Sequence, residues 1–234
     1  MATQALVDEF RSLNADLSKL AQRDLAAFWA KLDTTDIAVA REQLTTFMTA
    51  LVDTYGKPSA LIAANYYDQL RAASPNAKGT FRAVMAEPAQ AEAVAGTVRY
   101  AMGSVDTGTA LGILSGATQR YVSQAGRDTI AFSSSRDPSP GGWARVPTGS
   151  STCAWCQILA SRGPVYGSAS SAGDGVHYHD KCDCVPTQIW DGDDLPSGYE
   201  PDSLYAEYDA AREATGSGNI KDIAAELRVQ QGIA

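Results

Sequence analysis

All four cysteines and both histidines of this 234-residue chain fall within residues 143–186, WARVPTGSSTCAWCQILASRGPVYGSASSAGDGVHYHDKCDCVP. Thiolate and imidazole are the donors zinc prefers, and a structural site takes four of them in a tetrahedron. Cys153-Ala-Trp-Cys156 forms a two-residue chelate that brings two sulfurs to one ion. His179, Cys182 and Cys184 offer three further donors within six residues. The intervening 157–178 is rich in Gly and Ser and carries little apolar area to hold itself folded. We therefore read residues 143–190 as a module stapled by structural Zn2+.

Five donors compete for four places. Cys153 and Cys156 belong to every choice we favour, with His179 and either Cys182 or Cys184 as the second pair. His177 alternates with His179 across Tyr178, so in extended chain the two rings point to opposite sides. A four-thiolate set, with His179 supporting the sulfurs from behind, is the alternative. Metal-free thiols, disulfides and redox chemistry remain as blander readings, and the spacing weighs against them. A catalytic zinc needs an open position and a general base. Asp180 and Asp183 lie in the ligand turn and read as solvated, so no catalytic residue is assigned. Gly108, Gly112 and Gly116 lack the following Gly-Lys-Ser/Thr of a phosphate loop and read as helix-packing positions. No cofactor other than zinc is expected.

The C-x-x-C pair at Cys153 and Cys156, followed after a loop by H-x-x-C-x-C at His179, Cys182 and Cys184, resembles the minor head proteins of tailed bacteriophages typified by the F protein of phage Mu. Trp143, Arg145 and Val146 before the first cysteine, and Leu159-Ala160-Ser161-Arg162-Gly163 and Val165-Tyr166 after it, resemble the versions in phages of actinobacteria. Asp180 stands where many relatives carry proline, and Asp183 replaces a common arginine. The likeness covers roughly residues 115–230. It implies a copy-limited component inside the capsid, near the portal vertex and recruited during head assembly.

Composition sets the outer bounds. The chain is 44% hydrophobic, ordinary for a folded protein, and no apolar run approaches the ~20 residues that span a bilayer. The first residues, MATQALVDEFRSL, show no basic segment followed by a hydrophobic core, so no secretory signal is expected. Clustered cysteines fit synthesis in a reducing cytoplasm. Residues 1–132 hold 12 Lys+Arg against 13 Asp+Glu, and residues 133–234 hold 7 against 14. A protein that grips nucleic acid through phosphates shows a basic face. Neither half does, and contact with packaged DNA is expected to be weak.

Periodicity supplies the elements that must position the donors. Leu6, Phe10, Leu13, Leu17 and Leu20 step by fours and threes and predict a helix over 4–32. Asp33-Thr34-Thr35-Asp36 offers caps for a second helix that stops at Gly56, and Pro58 opens a third to about Ala73. Further helices are expected over 88–102 and 106–131. The Ser-, Pro- and Gly-rich stretch 133–142 reads as a linker. Short strands follow around 143–147, 164–167 and 183–190. An acidic linker begins at Asp191, and helices over 202–214 and 219–230 complete the chain, with a surface to lie on either in this protein or in a neighbour.

The expected fold class is thus α+β. A helical domain occupies 1–132, with the linker at 133–142, the zinc module at 143–190, and the acidic linker and terminal helices at 191–234. The expected function is that of a structural protein of a phage head, in the virion interior, with portal protein and/or major capsid protein as partners. No membrane and no small-molecule substrate are expected. A metal-dependent nuclease of the HNH type, or a head-maturation protease, is the alternative. The protease would have to use His177 or His179, within the metal cluster, and with one of the two histidines spent on zinc the nuclease lacks its second histidine.

Overall fold

A computed structural model of the chain describes residues 2–103, 108–149, 152–167, 178–180, 182 and 184–232. Four helices come first: α1 (Ala2–Trp29), α2 (Ile37–Ala73), α3 (Ala91–Met102) and α4 (Ala110–Ser134). Then follow β1 (Gly141–Val146), a short α5 (Ala154–Ala160), β2 (Val185–Trp190), α6 (Pro201–Thr215) and α7 (Ile220–Gln231). The fold is mainly helical with a small antiparallel sheet, as expected. The two strands pair from Gly141↔Trp190 to Val146↔Val185. The strand expected at 164–167 is reduced to one bridge, in which Trp143 N donates to Tyr166 O at 2.9 Å and Tyr166 N returns to Trp143 O.

The second and third expected helices are one. α2 runs for 37 residues, about 55 Å, with Pro58 inside it. Asp36 caps its start, accepting from Ala38 N and Val39 N. Proline removes one helical hydrogen bond, but α2 is packed by α1, α3 and α4 along its length. Packing of Gly56, Ser59, Ala60 and Ala63 on either side of the proline outweighs that loss. Gly56 is not a stop: a Cβ there would lie 3.0 Å from Pro88 Cβ, so the glycine admits a neighbouring segment.

α1 also differs from its expected face. Its buried positions are Val7, Phe10, Asn14, Ser18, Ala21 and Leu25, while Leu13 and Leu20 are 42% and 40% exposed. Asn14 belongs inside because it accepts a 2.6 Å hydrogen bond from Ser59 Oγ of α2. Of the glycines expected to pack helices, Gly108 and Gly112 have nothing near their missing side chains. The close contact between α2 and α4 falls instead at Gly126, where a Cβ would meet Ser59 Oγ at 2.7 Å.

Two apolar clusters fill the helical part. One joins α1, the second half of α2 and the end of α4 to Trp143, Val146, Ile189 and Trp190 of the sheet. The other fills the opposite end around Leu25, Leu44, Met48, Val98 and Leu114. α4 continues through Ser134, and the residues after it are anchored. Buried Asp137 pairs with Arg71 at 2.9 Å and accepts from Tyr67 Oη at 3.1 Å. Asp193, expected in a solvated linker, accepts from Ser74 Oγ and Asn76 Nδ2. The terminal helices lie on this protein's own surface. Ala211, Ile223, Ala224 and Leu227 of α6 and α7 pack on Ala154 and Ile158 of α5.

Candidate metal centre

α5 carries the first two donors. Cys153 is its N-cap, and its sulfur accepts from Cys156 N at 3.4 Å. One turn of helix therefore turns both thiols the same way. α5 is held between β1 and the pair α6 and α7, so a seven-residue helix too short to persist alone is fixed by its neighbours. The second cluster comes from His179, Cys182 and Cys184, just before β2.

Pairing of β1 with β2 brings the two clusters together. Cys153 Sγ lies 2.9 Å from His179 Nε2, Cys156 Sγ 3.5 Å from the same nitrogen, and Cys156 Sγ 3.4 Å from Cys182 Sγ. Two overlapping groups result: Cys153, Cys156 and His179, and Cys156, Cys182 and Cys184. Within each, the donor atoms lie within 4.8 Å of one another. With zinc–sulfur bonds of about 2.3 Å, tetrahedral sulfurs sit about 3.8 Å apart, which is the spacing scale seen here. All four cysteines are free thiols. His177 and Asp183 lie outside the described residues.

The chemistry of the donors fits a metal. His179 Nδ1 is 2.7 Å from the carbonyl of Asp180. Donation to that oxygen leaves the Nε2 lone pair toward the sulfurs, the arrangement metal-bound histidines adopt. Hydrogen bonds from Cys153 and then Cys182 push the His179 pKa up to about 10. The Cys153 thiol is drawn down to about 4, first by Cys156, with His179 also contributing. Sulfurs that favour a proton on Nε2 favour a divalent cation at the same point.

Three features around the donors escaped the sequence. Tyr178 lies between two guanidinium groups, with Arg127 at 3.9 Å and Arg145 at 3.7 Å from its ring centre. Arg145 is fully buried on β1, and its Nη1 approaches Cys156 Sγ at 3.8 Å. Arg127, from α4, donates to Cys182 O at 2.8 Å. These cations counter the negative charge that clustered thiolates accumulate. Asp180 is exposed, as expected, and also pairs with Arg120 Nε of α4 at 2.7 Å. Gly116 admits it, because a Cβ there would lie 2.9 Å from Asp180 Oδ2. Arg127 and Gly116 fall on buried positions of α4, and only their side-chain types on an otherwise small or apolar face could have flagged them.

Comparison with known proteins places the chain. A family described as VG15 protein matches residues 1–211. The chain is 34% identical to the Gene 15 protein of Mycobacterium phage D29, over 42% of this chain and 48% of that protein. It is 31% identical to the Gene 15 protein of Mycobacterium phage L5, over 34% of this chain and 40% of that one. The chain thus spans at most about half the length of these curated relatives. No solved structure matches significantly. No described helix is long and apolar enough to cross a membrane. Matched along most of its length and similar to proteins of two mycobacteriophages, this chain is a phage protein and belongs to the VG15 protein family.

Proposed function

We propose that this protein is a non-enzymatic, structural component of the phage head, a minor capsid or head-morphogenesis protein whose zinc staples the segment around the sheet. The observation that carries the reading is the donor set. Cys153, Cys156 and His179 close three corners of a tetrahedron, and Cys182, adjacent to Cys156, supplies the fourth, with Cys184 as the alternative. Four protein donors leave no position for an activated water. The carboxylate beside His179, that of Asp180, is engaged by Arg120 and is not poised to move a proton.

The likeness to Mu F-type minor head proteins supports a place inside the capsid near the portal vertex. Portal protein and/or major capsid protein are the partners. The acidic balance of the chain argues against an extended DNA-binding face. The test is complementation of a phage lacking this gene, with mass spectrometry of purified particles and zinc analysis of the purified protein. Wild-type chain is expected in particles at low copy, with one zinc per chain, and Cys156→Ser is expected to be missing from particles. A zinc-free wild-type chain, its absence from particles, or measurable nuclease or protease turnover would refute the proposal.

A further inference from the structure

A cavity of about 170 Å³ lies where α1, α4 and the ligand turn meet. Arg11, Asn14, Ser18, Gln119, Ser123 and Arg127 line it, and it backs onto Cys182 and Cys184. No carboxylate appears among the described lining residues, although the chain carries a net charge of -8. Arg127 is 6% exposed. Its Nη2 is used on Cys182 O and its face on Tyr178, but its buried Nη1 has no hydrogen-bond partner. Ser18 Oγ, 4% exposed on the α1 wall, is likewise buried without a partner. Two unsatisfied donors thus line one cavity, one of them on a buried cation.

Charge decides what belongs there. A divalent ion held by three thiolates and an imidazole leaves the centre with one negative charge. Among the described residues two guanidinium groups, Arg145 beside Cys156 and Arg127 beside Cys182, face that one negative charge. This balance rests on the three-thiolate reading proposed above. Water could satisfy the two donors, but only an anion neutralises a buried guanidinium, whose planar fork suits oxyanions. We propose that a small oxyanion of the phosphate class binds in this cavity, accepting hydrogen bonds from Arg127 Nη1 and Ser18 Oγ. The volume accommodates one tetrahedral oxyanion.

The test is calorimetric titration of zinc-loaded protein with inorganic phosphate at low ionic strength, with zinc measured on the same sample. One saturable site per chain is expected in the wild type. Ser18→Ala should bind about tenfold more weakly, the loss of one hydrogen bond to a charged group. Arg127→Met should abolish binding. If Arg127→Met does not fold, Ser18→Ala carries the test, because it removes only an unpartnered hydroxyl. No saturable phosphate binding by protein containing one zinc per chain overturns the inference, as does a Ser18→Ala variant equal to wild type. Phosphate binding with these variant effects in protein that holds no zinc would support the anion site while removing the three-thiolate centre.

Discussion

Gly116→Ala tests whether the ligand turn is held in place by α4. The new Cβ would lie 2.9 Å from Asp180 Oδ2 and 3.2 Å from Asp180 Cβ and Cγ, so Asp180 has to move. Asp180 follows His179, and its carbonyl is the anchor of His179 Nδ1. Displacing it therefore turns the imidazole away from Cys153 and Cys156. Alanine in a helix gains up to about 1 kcal/mol over glycine, and overpacking costs about 1–3 kcal/mol. The Arg120–Asp180 pair is 30% and 42% exposed, so its loss adds no more than about 0.5 kcal/mol. In the metal-free protein these contributions sum to a net cost of about 0–2.5 kcal/mol. In the metal-bound protein the strain falls on the donor set and is expected to cost about 1.4 kcal/mol, a tenfold loss of zinc affinity. Two further glycines of α4 serve as controls. Gly112→Ala meets nothing within 4 Å and should stabilise slightly, by about 0.5 kcal/mol. Gly126→Ala would press on Ser59 Oγ at 2.7 Å and Ser59 O at 3.0 Å, and should lose about 1–2 kcal/mol with or without metal. Chelator competition reads the zinc affinity, and urea unfolding with and without zinc reads stability. Wild-type zinc affinity in Gly116→Ala, alongside a destabilised Gly126→Ala, would show that the turn is positioned by something other than this contact.

Cys156 belongs to both donor groups, so Cys156→Ser should lose the metal and, with it, apparent folding free energy on the order of 10 kcal/mol. Cys184→Ser should keep one zinc per chain by elemental analysis, and loss of zinc there would reassign the fourth ligand. Arg145→Met removes a fully buried cation beside Cys156 and should cost about 3 kcal/mol in the metal-bound protein, measured by urea unfolding. In the metal-free chain, the His179 pKa raised to about 10 contributes stability that is present below 6.5 and lost as pH rises through 10. The Cys153 pKa lowered to about 4 contributes stability that is present above the ordinary thiol value and lost as pH falls through 4. The pair is thus fully charged between those limits, and an NMR titration of His179 in chelator-treated protein should show no midpoint near 6.5.

The clustering of the candidate donors was legible because metal chemistry constrains spacing along the chain: Cys153 to Cys156 and His179 to Cys184 are local patterns. Helix existence was legible for the same reason, through the periodicity of apolar residues. What was lost depended on contacts distant in sequence. Gly56 and Pro58 read as a stop and a start because no local signal reveals that Pro88 lies against one and that the helix holding the other is packed by α1, α3 and α4. Leu13 and Leu20 read as core because their side chains are apolar, yet the buried face is set by Asn14 meeting Ser59. Arg127 was invisible as part of the centre because an arginine in a helix ordinarily faces solvent. Only the fold supplies Tyr178 and the carbonyl of Cys182 as its partners.

The antiparallel pairing of β1 and β2 also fixes how the centre would feel a mechanical load. The segment with the candidate donors leaves the sheet at Val146 and returns at Val185, and those two residues face each other in the register. Tension entering at Gly141 and leaving at Trp190 acts on adjacent strand ends, so it opens the ladder one pair at a time from Gly141↔Trp190 inward. Until the Val146↔Val185 pair parts, the force passes across the strands and bypasses the excursion between them. Tension applied at those two strand ends therefore reaches Cys153, Cys156, His179 and Cys182 only after the sheet has opened.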